Sequence, residues 1–314
     1  ANSVKLRLAM RICYVKPDLA KQYAMEAVRD GVMETADDSA LFQSWGSITI
    51  INPLEKIWNG YSDTRMGASM DSYLNGYNDP RLPVYFQPVT EGDNKGEYRG
   101  VANGMPNPQQ DDYKAMSAPN VQEKSTDSPL RWMMASEVAF LRAEGAMRGW
   151  TAEMGGTAEE FYNKGIELSF LENGLSADAA ARYAADETSK PTDFTDVSAA
   201  NTKYNISALG KITIKWNAGA SEEEQLERII TQKWIAMFPN GTEAWSEFRR
   251  TGYPLIFPVR SNYPTSGVDT NKQIRRMVFP QSEYSNNGAA VQEAVKLLGG
   301  PDNGGTKLWW DKKN

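Results

Sequence analysis

Histidine is absent from the 314 residues, and cysteine occurs once, at Cys13. Without histidine there is no Ser-His-Asp or Cys-His catalysis, most zinc and iron sites are excluded, and the usual neutral-pH general base is missing. An enzyme built on this chain would have to work with carboxylates. A lone cysteine excludes an internal disulfide and any thiolate metal cluster. The sequence also lacks a run of roughly eighteen apolar residues, so no helical membrane span is expected. Its start, Ala1-Asn2-Ser3, carries no basic segment followed by an apolar one, and so reads as cut rather than as an intact secretory signal. With a net charge of −6 and a pI near 5.1 there is no basic footprint for nucleic acid or an anionic membrane surface.

What is present suits a folded, mainly helical protein. Hydrophobic residues make up 40% and charged residues 24%, an ordinary balance for a chain long enough to bury a large core. No change of composition marks a linker, so residues 1–314 are read as a single domain. The most self-contained stretch is Ser221 to Pro254. Ser221 with Glu224 forms a capping box, and Leu226, Ile229, Ile230, Trp234 and Phe238 recur at helical spacing until Pro239. Asn240 with Glu243 repeats the start signal, Trp245 and Phe248 supply a second apolar face, and Gly252 with Pro254 marks the stop. The expectation is a helical pair whose Trp and Phe residues pack inward.

Elsewhere, helices are predicted from about Leu6 to Ile12, from Pro17 to Val28, and from Arg65 to Leu74. Further ones are expected from Ser128-Pro129 through Met147, from Thr157 to Gly174, from Ser176 to before Pro191, and from Asn287 to Leu298. The run Ile48-Thr49-Ile50-Ile51 reads as β, a short helix spans Leu54 to Trp58, and residues 81 to 89 read as extended. Lys211 to Trp216 alternates and reads as a short strand. Residues 90 to 129, rich in Gly, Pro, Asn and Asp, form a long surface excursion. A tetratricopeptide period of about 34 residues keeps no register, although helical hairpins of that style recur.

Glu222-Glu223-Glu224 complements its own helix dipole. Asp302-Asn303-Gly304 offers oxygen ligands but lacks the alternating acids and closing Glu of a calcium loop, so it reads as a turn; no cofactor is expected, and structural calcium has no motif. Asp111-Asp112 and Asp37-Asp38 are paired carboxylates of the kind glycoside hydrolysis uses, which keeps a carboxylate-dependent hydrolase as an alternative. Arg249-Arg250 beside Glu247 suggests surface or inter-helix ion pairs. The aromatics on irregular segments, namely Trp45, Trp58, Tyr61, Tyr73, Tyr77, Tyr85 and Tyr98, can offer flat faces to sugar rings. Of these, Trp58, Tyr61 and Tyr98 are chosen as stacking residues, with Asp63 and Arg65 as their hydrogen-bonding partners.

Several blocks carry a resemblance beyond this physics. SVKLRLAMRICYVKPDLAKQYAMEAV at 3–28, GYNDPRLPVYFQP at 76–88, MMASEVAFLRAEGAMRGW at 133–150, QKWIAMFPNGTEAWSEFRRTGYP at 232–254, and RRMVFPQSEYSNN with LWWDKK near the end resemble the SusD/RagB family, in family order. The resemblance implies a mainly α, SusD-like fold with tetratricopeptide-like helix pairs, long irregular loops and a few short strands. It also implies a non-enzymatic surface lipoprotein of the outer membrane that binds glycan, or in some members peptide, and delivers it to a SusC-like TonB-dependent transporter. Family members carry a lipidated cysteine and a further helical region ahead of the first block. Cys13 lies inside that block, so it is not the lipid site, and the chain is read as the C-terminal portion of a longer protein.

Overall fold

The computed structural model describes residues 1–106, 109–120, 129–201 and 203–313. The order of its principal elements is α1 (Asn2–Arg11), α2 (Pro17–Arg29), β1 (Ala40–Phe42), α3 (Ala68–Gly76), β2 (Leu130–Met133), α4 (Ala135–Met147), α5 (Ala158–Leu171), α6 (Ala177–Ala184), α7 (Glu222–Ala236), α8 (Gly241–Thr251) and α9 (Gln281–Leu298). Helices dominate, they pack largely as sequential pairs, and β1 and β2 form one small antiparallel ladder.

Packing centres on α4, where nearly every residue from Ala135 to Ala146 is buried. Its closest neighbour is α5, and the reason is Gly165: a Cβ there would sit 2.7 Å from the Phe140 ring, so only glycine allows this approach. On another side α1 lays down Leu6, Ala9 and Met10, and the small stripe Ala20, Ala24, Ala27 brings α2 against α1. The third side receives α7, whose Leu226, Ile229, Ile230 and Ile235 join Tyr73, Tyr77, Tyr162 and Phe170 in the main core. Each such aliphatic side chain, fully buried, contributes roughly 1.5–3 kcal/mol.

Side-chain caps set the starts of α5, α6, α7 and α8. Thr157 and Glu160 form the reciprocal capping box. Ser221 Oγ accepts from Glu224 N, but the Glu224 carboxylate turns to Arg228 instead of closing the box. Asn240 Oδ1 likewise accepts from Glu243 N, while the Glu243 carboxylate is drawn to Arg11. In both cases a nearby guanidinium is the stronger partner for the acid. Gly252, at φ 82°, supplies the left-handed stop of α8.

Several expected elements differ. Pro129 does not open a helix, and Ser128 lies outside the described residues, as do 107–108 and 121–127 of the long excursion. Leu130–Met133 is instead a strand, because Ala40–Phe42, ninety residues earlier, offers it a partner, and the helix waits until Ala135. Ile48 makes only an isolated bridge with Trp45. Leu82–Tyr85, expected to be extended, is a helical turn, and α3 begins at Ala68 rather than Arg65. Helix α9 begins at Gln281 and kinks at Asn287.

The alternation at 211–216 is real in burial, with Ile212, Ile214 and Trp216 inward, yet no strand pairs with it among the described residues. Side chains serve its backbone instead: Tyr77 Oη donates to Ile212 O, Arg228 Nε to Thr213 O, and Tyr162 Oη to Ile214 O. The backbone is satisfied without a ladder.

At the α7–α8 corner the inter-helix ion pairs expected of Arg250 form, and they form in the interior. Arg250 is 0% exposed, with its guanidinium on Glu144 at 2.6 and 2.7 Å and on Glu247 at 2.6 and 2.9 Å. Lys233, also buried, bonds Glu247 at 2.9 Å, and Arg7 grips Glu137. Burial alone would raise the Glu144 carboxyl; Arg250 and Arg148 overcome it and hold it at about 2. This charged junction ties α1, α4, α7 and α8 together where apolar faces were expected. Phe248 is buried as read, and Trp245 is half-buried, donating to Ile274 O under the Arg249 guanidinium.

Candidate functional site

One cleft of 610 Å³ opens beside the small ladder. Asn52 starts its wall: its Oδ1 accepts from Leu54 N and caps the turn Pro53–Glu55, which continues as the π turn Lys56–Gly60 carrying Trp58. The Trp58 ring lies nearly parallel to Phe238, 5.9 Å between centroids, and Phe238 in turn touches Tyr85 and Phe86 at 4.8 and 5.0 Å. An aromatic stack thus runs from the cleft into the core. On the other wall, Trp132 of β2 stacks on Phe42 of β1 at 5.1 Å and remains 63% exposed. An exposed ring already braced from one side is a rigid platform for a flat apolar face.

Polar groups converge between these rings. Arg131 Nη1 donates to Asn173 Oδ1 at 3.0 Å and Nη2 to Glu172 O at 3.3 Å, and among the described residues it makes no ion pair. Asn173 also donates to Tyr85 Oη and Ser169 O, which fixes the amide. The Glu172 carboxylate points away, bound by Ser39, Ser136 Oγ and Ser136 N, and burial raises its pKa. Asn120 and Asn240 complete the rim. Aromatic faces with fixed hydrogen-bonding groups between them suit stacking plus directed hydrogen bonds to a polar ring.

A second cleft, of 780 Å³, holds Tyr61, Asp63 and Arg65 over an apolar floor that includes Met66 and Met105. Ser62, at φ 54°, is in the left-handed region and turns the chain between Tyr61 and Asp63. Arg65 is anchored by backbone carbonyls: Nη1 donates to Ser62 O and Thr64 O, and Nη2 to Lys114 O at 2.7 Å. Its Nε is buried without a partner, and desolvation lowers its pKa. A third hollow, of 890 Å³, lies between α1, Tyr23 and Trp309 and is almost wholly apolar.

The structure therefore gathers Tyr61, Asp63 and Arg65, places Trp58 in the neighbouring cleft, and leaves Tyr98 apart. Tyr98 lines neither cleft; it packs against the main core, and its carbonyl accepts from Asn75 Nδ2. Tyr73, Tyr77 and Tyr85 are buried, while Trp45 stands 80% exposed on a tight hairpin. Trp132 and Arg131 were not singled out by sequence, since inside a presumed helix they read as ordinary helical positions. The paired acids have local duties: Asp38 accepts from Glu34 N and Thr35 N at a helical turn, and Asp111 pairs with Lys114. Asp302 is occupied by Arg276, Tyr284 and Phe279 N, which makes its segment a turn held by side chains.

The chain matches the family model SusD-like, described as Susd and RagB outer membrane lipoprotein, over residues 1–311. No curated protein matches the sequence. Among solved structures, it is similar to a chitin-binding SusD homologue from Flavobacterium johnsoniae, with 43% identity, a TM-score of 0.90, and coverage of 100% of this chain and 63% of that one. A SusD homologue from Bacteroides thetaiotaomicron is 41% identical, with a TM-score of 0.90 and 100% and 64% coverage. One from Bacteroides vulgatus is 38% identical, with a TM-score of 0.92 and 100% and 62% coverage. The chain thus spans less than two thirds of the length of these relatives. Helical architecture, ordered sequence blocks and a match along nearly every residue lead to one conclusion: the chain belongs to the SusD-like family.

Proposed function

We propose that this chain forms the glycan-holding part of a non-catalytic surface lipoprotein that passes oligosaccharide to a SusC-like TonB-dependent transporter in the outer membrane. The observation that carries the reading is the cleft between Trp132 and Trp58, where two braced aromatic walls flank fixed amide and guanidinium groups. Family membership and the chitin-binding relative support glycan as the ligand class. Of the two carboxylates that line this cleft, Glu55 and Glu172, the latter is turned inward onto serine hydroxyls, which supports binding without turnover.

Calorimetric titration with a panel of oligosaccharides, N-acetylglucosamine oligomers among them, tests this. The expected result is binding with no release of reducing sugar, and a loss of at least tenfold in Trp132→Ala, the size of an interface hot spot of about 1.5–2 kcal/mol. Because Trp132 is exposed, its removal leaves the thermal midpoint nearly unchanged. A blank glycan panel beside binding of a peptide mixture would overturn the ligand class, and sugar release abolished by one Asp or Glu substitution would restore the hydrolase. Co-purification of a transporter with the full-length protein tests the partner.

A further inference from the structure

The turn Lys56–Gly60 and the residue after it serve two clefts at once: Trp58 lines the aromatic one and Tyr61 lines the one beside it. Three residues of chain span at most about 11 Å, so the walls of the two clefts meet within that reach. Tyr61 is 58% exposed, with Lys56 Nζ 5.7 Å from its ring centroid. Asp63 is exposed and makes no ion pair or hydrogen bond among the described residues, leaving an acceptor-only carboxylate open to a pair of hydroxyls. Arg65, pinned by three carbonyls, cannot swing out to neutralise it by direct contact. An aromatic ring, a free acceptor, a fixed cation and an apolar Met66–Met105 floor suit a polyhydroxylated ring, and the cleft's other cation, Lys114, is already paired with Asp111.

We propose that the Tyr61–Asp63 cleft is a second subsite for the same glycan chain, so that a long neutral oligosaccharide reaches from one cleft into the other and is held in both. This rests on the glycan reading of the Trp132 cleft. The second contact is intramolecular once the first is made, so a cleft too weak to hold a sugar by itself still multiplies the affinity for a long chain.

The test is an array of neutral oligosaccharides graded in length from two to about eight rings, titrated against wild type, Trp132→Ala, Tyr61→Ala and Asp63→Asn, each checked for an unchanged thermal midpoint. Short chains are expected to bind Tyr61→Ala and Asp63→Asn as they bind wild type, and to be lost in Trp132→Ala. Long chains are expected to weaken about tenfold in Tyr61→Ala and Asp63→Asn. Two results would overturn the proposal: long chains indifferent to both Tyr61→Ala and Asp63→Asn, or short chains weakened as much as long ones, which would make the clefts a single site. If wild type binds no oligosaccharide of any length, the glycan reading itself fails, and the second subsite with it.

Discussion

Arginine has opposite roles in two regions of this molecule. At the α7–α8 junction, Arg250 is fully buried between the carboxylates of Glu144 and Glu247, with every approach filled. In the clefts, Arg131 and Arg65 are held by an amide and by backbone carbonyls, and among the described residues neither makes an ion pair. A guanidinium saturated by acids in a low-dielectric interior positions helices; one fixed by neutral groups at a cleft wall keeps both its charge and its spare donors for something else. Partner chemistry, more than residue type, separates scaffold from candidate site.

The junction is where the comparison can be broken most forcefully. Arg250→Ala leaves two buried carboxylates without their main partner and is expected to destabilise by about 3–5 kcal/mol in chemical denaturation. A loss below about 1 kcal/mol would show the junction to be ornamental. The same acids dictate an acid limb. Glu144 is held at about 2 against an ordinary value of 4.5, so its contribution is complete above about pH 4.5 and is lost as pH falls towards about 2. Thermal midpoints across that range should fall more steeply in wild type than in a Glu144→Gln variant, compared each with its own neutral-pH value.

Glu227 is the counterexample among the acids, and it sharpens the contrast. One of its oxygens is buried without a partner, burial raises its carboxyl to about 7, and Glu224 and Glu223 add to the rise against Arg228. A raised acid contributes stability below its unfolded pKa and loses it as pH climbs through the folded one. Wild type should therefore lose thermal stability relative to Glu227→Gln between about pH 5 and about pH 8, and parallel curves would refute the assignment. The smallest effect is expected in the cleft. Arg131→Lys should leave the thermal midpoint unchanged and weaken oligosaccharide binding several-fold, because an ammonium cannot reproduce the planar fork bound to Asn173.

Legibility in the sequence followed the range of the forces involved. Helix starts at Thr157, Ser176, Ser221 and Asn240 were readable because a cap is an interaction over three residues, and the one at Pro17 because proline suits the first helical position. Of the site, Tyr61, Asp63 and Arg65 were readable as a cluster because a single irregular segment carries them into one cleft. Tyr98 shared their composition but not their surroundings, and packing against the core took it elsewhere. Trp132 and Arg131 were hidden because their strand exists only through pairing with Ala40–Phe42.

By itself, then, the sequence determined a mainly helical chain, the punctuation of most of its helices, the inward alternation at 211–216, and a family resemblance spread over its length. Only the tertiary structure decided that Arg250 is interior, that Leu130–Met133 is a strand, and that Trp58 and Tyr61, three residues apart, line different clefts. The reason is physical: caps, turns and periodicity act between near neighbours, whereas burial of a charge, pairing of strands and the shape of a cleft depend on residues brought together from distant parts of the chain.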